Sequence, residues 1–405
     1  MQVSVQRAVD KWIGVPLCAL LSLIERLRPP RKPAVPVQKI LVILLSEMGS
    51  LVLAYPMFAW LKERYPGASI HMLMFAKNRE ALDLMDVIPR ENILTLNDGS
   101  AQTFVAESAR MIPTLRAHRF DAVIDCELFT RISSIFAYLS NAPLRIGFHP
   151  QTQEGLYRGS FINRPVIYNP YRHLSLQLLT MAAAIESDTR PLAKFPLLLP
   201  RLTPPQVPFE ASELDAMRSR FANDFPGAEG RRLVLVYPGG GILPIRAWPA
   251  AHYQSLCKQL IDGGFAVGVI GLSEDKPLAR SIVQASGHPA CVDLTGYTRK
   301  IRDLLALFHT AALLIANDGA PGQLSALTKM PAIVFFGPET PALYGPIAPG
   351  VYCFHRPLAC SPCLTAYNHR LSPCDGDNQC LKQISVDEVR TKALAMLLSE
   401  AVHVL

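Results

Sequence analysis

The feature that most constrains this chain is an alternation of short apolar runs with helical stretches, set out twice along 405 residues. Lys39-Ile-Leu-Val-Ile-Leu-Leu45 opens the first series. A strand apolar on both faces must be covered on both faces, which is the situation of a parallel sheet built from βαβ units. Residues 51–65 predict a helix, with Pro56 within a turn of its start or kinking it. Residues 69–75, 121–126 and 144–148 predict further strands. Five prolines then fall within residues 196–208, the composition of an interdomain linker. The alternation restarts with strands at 232–237, 266–272, 313–317 and 332–336. A helix at 250–261 is closed by Gly263-Gly264, and Ser385-Val-Asp-Glu388 forms a capping box that opens a last helix to about residue 398. The expected fold class is therefore α/β: two Rossmann-like doubly wound domains, 36–200 and 209–384, facing a cleft. A segment 1–35 precedes them and a helix 385–405 follows. Ligands of such sheets bind beyond the carboxyl ends of the strands.

Composition limits the partners. Half of the residues are hydrophobic and 18% are charged, so two sizeable cores are within reach. The net charge of +7 favours anionic partners: phosphorylated small molecules, an acidic membrane face or nucleic acid. Nucleic acid is the weakest of these, because no long basic run is interleaved with aromatics. Residues 12–24 form an apolar run flanked by Arg7, Lys11, Arg26, Arg28, Arg31 and Lys32. It is too short to span a bilayer, and no small-residue cleavage site follows it. It reads as an interfacial segment on anionic headgroups or as a helix packed on the protein itself.

Three strand ends carry candidate chemistry. In Leu45-Ser-Glu-Met-Gly-Ser50, Gly49 permits a tight turn, and Glu47 is either a general base on a rigid strand end or a surface residue capping the next helix. After the strand at 232–237 come Pro238, Gly239, Gly240 and Gly241, which allow close backbone approach to a ligand, followed by Arg246, a permanent cation suited to a diphosphate. This is neither a Walker A loop nor G-x-G-x-x-G. In Ala316-Asn-Asp-Gly-Ala-Pro-Gly-Gln323, Asp318 is a candidate acceptor for hydroxyls, Gly319 offers an amide to phosphate, and Gln323 lies one turn on. Glu274, at a fourth strand end, is a candidate for a ribose or base.

Nine cysteines without an export signal point to a reducing cytoplasm. Cys360, Cys363, Cys374 and Cys380 form the densest cluster. They read as a structural zinc site, as reduced structural thiols or as disulfides, although their spacing departs from that of common zinc ribbons.

Taken in order, these motifs resemble glycosyltransferase family 9, the lipopolysaccharide heptosyltransferases, whose fold is GT-B. The resemblance runs from about residue 39 to 381. Its later parts are Phe120-Asp-Ala-Val-Ile-Asp125, Arg145-Ile-Gly-Phe148, Arg246-Ala-Trp-Pro249, Asn317-Asp318, Phe336-Gly-Pro-Glu-Thr-Pro341 and Tyr344-Gly-Pro346. It implies inverting transfer from a nucleotide sugar, ADP-heptose in the family, to a lipid-linked saccharide at the inner face of the cytoplasmic membrane. No catalytic cofactor is implied. The acceptor belongs to the first domain and the donor to the second. Where the family has its catalytic Asp, this chain has Ser50, which leaves Glu47 as the substitute base. The family's Lys is Arg246 here, and its Asp-Ser/Thr-Gly-x-x-His run has become Asp318-Gly-Ala-Pro-Gly-Gln323. A member that has lost transfer and only binds sugar nucleotides, and an epimerase of the same architecture, are the competing expectations.

Overall fold

The computed structural model describes residues 8–29, 36–45, 47–149, 157–189, 191–196, 202–368 and 370–401. The flanking cations Arg7, Arg31 and Lys32, and Pro200 of the linker, lie outside them. The chain divides into two compact units: residues 1–202 with Thr365–Leu371, and Thr203–Leu364 with Ser372–Leu405.

The first unit is built on β1 (Lys39–Ile43), β2 (Ser69–Phe75), β3 (Ile93–Leu96), β4 (Ala122–Asp125), β5 (Leu144–Phe148) and β6 (Arg164–Val166). They pair in the order β3-β2-β1-β4-β5-β6, and every ladder is parallel. The second unit repeats this with β7 (Leu233–Tyr237), β8 (Ala266–Gly271), β9 (Cys291–Thr295), β10 (Leu313–Asn317), β11 (Ala332–Phe336) and β12 (Val351–His355), ordered β12-β11-β10-β7-β8-β9. Both are the doubly wound order, in which the winding reverses between the first and fourth strands. In each unit the first strand is apolar and buried: Ile40 to Ile43 of β1 and Val234 to Val236 of β7 are entirely buried.

The helix expected at residues 51–65 is two helices, Met48–Leu53 and Tyr55–Arg64, with Pro56 in the first turn of the second, where its missing N–H costs nothing. The last helix, Val386–Ala401, opens with the capping box: Ser385 N donates to Glu388 at 3.0 Å and Glu388 N to Ser385 Oγ at 3.3 Å.

The N-terminal apolar run forms a helix, Val15–Arg26, continued from a π-helical turn, Asp10–Gly14. Pro16 occupies its first turn, so it does not break it. One side of the helix is built into the first unit. Cys18 packs with Ile135, Tyr138, Phe161 and Ile162, and the Ser22 hydroxyl accepts from Ser160 N at 2.9 Å. Asp10 pairs with the buried Arg131 at 2.5 Å, and Glu25 pairs with the buried Arg145. No helix among the described residues is long and apolar enough to cross a membrane.

Candidate functional site

In each unit candidate residues sit where the strand order reverses, just past the carboxyl ends of the two central strands, while Glu274 follows β8.

In the second unit β7 ends at Tyr237 and runs into the glycine turn. Asn317, the last residue of β10, is fully buried and holds that turn in place. Its amide nitrogen donates to the carbonyls of Pro238 at 2.8 Å and Gly239 at 3.0 Å. Its carbonyl accepts from Trp248 N at 2.9 Å and from the Tyr253 hydroxyl at 3.0 Å. One side chain thus ties the turn to the segment carrying Arg246. Trp248 anchors that segment from the other side: it stacks on Phe335 at 4.7 Å, and its indole N–H donates to Ile384 O at 3.0 Å. The turn needs its glycines. A Cβ on Gly240 would stand 2.7 Å from Pro244 Cα, and Gly241 has φ +58°.

Arg246 lies mostly buried beside this turn, its Nη1 3.4 Å from Asp318 Oδ2 and 3.5 Å from Glu339 Oε2. Both distances are at the long limit for hydrogen bonds, and its buried Nε has no hydrogen-bond partner among the described residues. The guanidinium is therefore placed by two carboxylates without being saturated by them. Burial, reinforced by the Asp275 carboxylate, pushes the Tyr237 phenol up to about 12, so it remains a neutral donor at the mouth of the turn.

Pro238, Gly239, Gly240, Gly241, Arg246 and Asp318 are thus brought together, with Gly319 following Asp318 in extended backbone ahead of the short helix Ala320–Leu324. Glu274 is exposed in the turn Ser273–Asp275, within electrostatic reach of Tyr237. Gln323 is buried and committed to the fold, donating to Tyr344 O at 2.6 Å. Reading the sequence missed Glu339, Asn317 and Asp275 as members of this cluster. Glu339 was visible inside the Gly-Pro-Glu-Thr-Pro run, and Asp275 directly follows Glu274. Asn317 stood in the Asn317-Asp318 motif, but nothing in the sequence marked it as the residue that holds the turn.

In the first unit Glu47 stands at the N-cap of helix Met48–Leu53, with Gly49 inside the first turn. Its side chain makes no capping bond. Instead Oε2 accepts from the Ser50 hydroxyl at 2.7 Å, and Oε1 pairs with Arg370. Arg370 belongs to the short segment Thr365–Leu371 and has left-handed backbone, φ +54°. Its guanidinium also lies 4.1 Å over the Phe129 ring. A small pocket is lined by Glu47, Ser50, Glu127, Phe129, Leu174 and Leu178. Buried Glu127 accepts from Leu45 N at 2.6 Å, which holds the end of β1 against the end of β4. Neither Arg370 nor Glu127 was singled out from the sequence. The first lies 323 positions from its partner, and the second reads as one more polar residue after a strand.

The zinc reading of Cys360, Cys363, Cys374 and Cys380 is corrected. Among the described residues no group of three or more His, Cys, Asp or Glu side chains could hold a metal ion, and no disulfide joins their cysteines. Two of the thiols make polar contacts to other side chains. Cys363 lies 3.1 Å from the Ser372 hydroxyl, and Cys374 lies against Asp375 and Asn378. Burial pushes the Cys380 thiol up to about 11, with nearby Cys363, Cys360 and Cys374 adding to the shift.

Two doubly wound parallel sheets, each with its polar cluster at the switch point, give the two-domain α/β architecture of a GT-B protein. The chain belongs to glycosyltransferase family 9 (heptosyltransferase), whose model matches residues 108–371. It is 26% identical over 318 residues to lipopolysaccharide heptosyltransferase 2 of Salmonella typhimurium, covering 76% of this chain and 86% of that one. It is 25% identical over 372 residues to the enzyme of the same name from Escherichia coli, covering 89% of this chain and 99% of that one. The solved E. coli ADP-heptose heptosyltransferase II superposes with a TM-score of 0.67 at 22% identity, over 90% of this chain and 100% of that one.

Proposed function

We propose that this glycosyltransferase moves a heptose-like sugar, with inversion, from an ADP-activated donor to a hydroxyl of a lipid-linked saccharide at the cytoplasmic face of a membrane. In this reading residues 209–384 hold the donor and 36–200 the acceptor. The observation that carries it is Arg246, an arginine mostly buried beside the Gly239–Gly241 bend, whose Nε has no hydrogen-bond partner among the described residues and whose contacts to Asp318 and Glu339 are long. Such a guanidinium has hydrogen-bonding capacity left for a diphosphate, and the tight turn lets backbone come close to the same group. Asp318 and Gly319 serve the sugar and phosphate beside it, with Glu274 toward the nucleoside.

Glu47 is the base. Its carboxylate takes the proton of the acceptor hydroxyl as that oxygen attacks C1 of the donor sugar. The bond from C1 to the phosphate oxygen breaks, and its electron pair leaves with the diphosphate, whose growing charge Arg246 stabilises. Ser50 fills the position of the family's Asp and turns its hydroxyl to Glu47. The carboxylate has thus moved three residues along the sequence, which favours a working enzyme over a binding protein that has lost its base.

A donor panel tests the reading. ADP-heptose with a lipid A-core acceptor is expected to release ADP and extend the acceptor, and UDP-sugars are expected not to. Hydrolysis or epimerisation of the donor without acceptor extension would overturn it.

A further inference from the structure

The N-terminal helix uses one side to pack on the first unit and leaves an apolar side exposed. Val9, Ile13, Leu20, Leu23, Ile24 and Leu27 are all exposed, and Trp12 is 73% exposed. On Val15–Arg26 the buried positions are Cys18 and Ser22, and Leu20, Leu23 and Leu27 recur at the three- and four-residue spacing of the opposite face. Seven large apolar side chains within 19 residues, side by side in water, are a contiguous patch rather than scattered exposure. The helix cannot turn to hide them. Asp10 and Glu25, one at each end, are ion-paired to the buried Arg131 and Arg145, and the helix interior is pinned through Ser22.

We infer that this face docks the protein in plane on an anionic lipid bilayer, with the apolar stripe in the headgroup–acyl boundary. Two observations choose that occupant. Arg26 is exposed beside Leu27 at the end of the stripe, whereas Arg28 is turned to Glu25 and the Tyr138 ring, and Lys11 lies 5.5 Å from the Trp12 ring at its start. Anionic headgroups complement these cations, whereas a second copy of the chain packed face to face would bring like charges together. Trp12 is the side chain best suited to the interface, with an apolar body and one polar N–H. The choice of a lipid surface rests on the lipid-linked acceptor proposed above, whereas the exposed face does not depend on it.

The test is flotation of the full chain with vesicles of phosphatidylethanolamine and phosphatidylglycerol, beside vesicles of phosphatidylcholine alone. The wild type is expected to float with the anionic vesicles and to bind neutral ones at least tenfold more weakly. Leu20→Ser combined with Leu23→Ser is expected to reduce binding at least tenfold with an unchanged melting temperature, since both positions are already exposed. Transfer to a short, lipid-free acceptor is expected to be unaffected. Equal binding by the double variant, or no binding by the wild type, overturns the inference. So does a dimer in solution that the same two substitutions dissolve. Vesicle binding by a chain that transfers no sugar would leave this inference standing and remove only the proposed reaction.

Discussion

At the scale of single residues, two charged groups carry the proposed reaction, and they are held in opposite ways. Glu47 is held closely, by Ser50 and Arg370, and Arg246 only loosely, by Asp318 and Glu339. Glu47→Gln keeps the size of the side chain and removes the proton acceptor. Steady-state kinetics are expected to show kcat lower by roughly 10²–10⁴-fold with little change in donor KM. Arg246→Ala is expected to lose roughly 10²–10³-fold in kcat/KM for the donor, and Arg246→Lys less, because a point charge replaces the fork. Arg246 was legible in the sequence because a cation after a glycine run has few other uses. Arg370 was not legible: nothing local marks a residue whose partner is 323 positions away. The exchange between Ser50 and Glu47 was half legible. The missing carboxylate was evident, but the hydrogen bond joining the two residues could only be seen in three dimensions.

At the scale of elements, the strands that sequence pattern revealed were the inner ones. The four it missed, β3, β6, β9 and β12, are the four sheet edges. The reason is burial. An inner strand such as β7 is buried at every position and reads as a continuous apolar run. An edge strand such as β12 is buried at one position in five, and its sequence Val-Tyr-Cys-Phe-His shows no clear period. β6 carries a proline, which only an edge tolerates. The glycine turn belongs to this scale too, since its shape comes from Asn317 joining two elements. Asn317→Ala leaves two carbonyls, one backbone N–H and one tyrosine hydroxyl without their buried partner. It is expected to cost about 3 kcal/mol of stability in chemical denaturation and to weaken donor binding, as measured by calorimetry. Gly240→Ala forces a backbone contact and is expected to weaken donor binding with a smaller loss of stability.

At the scale of the whole molecule, acid sensitivity follows from buried histidines. Burial lowers His71 and His149 to about 4 from an ordinary value near 6.5; nearby His118 and Lys39 add to the first, and Arg158 to the second. Between pH 6.5 and 4 the unfolded chain therefore binds protons that the folded chain does not, so stability falls as the pH falls through that window. Thermal melts from pH 7 to 4.5 are expected to show a declining melting temperature, with a shallower decline in His71→Gln.

The division of the chain has a practical consequence for anyone wishing to take the enzyme apart. The backbone enters the second unit after residue 202, returns to the first for Thr365–Leu371, and leaves again. That excursion is anchored by buried Ala366, by Tyr367 against Tyr168 and by Arg370 on Glu47 and Phe129. A gene cut at the proline-rich linker would therefore not yield two self-sufficient halves. The N-terminal product would lack the cation that steadies its own carboxylate, and the C-terminal product would carry a stitch with nothing to sew into. A split enzyme is expected to regain activity only when the two fragments are mixed.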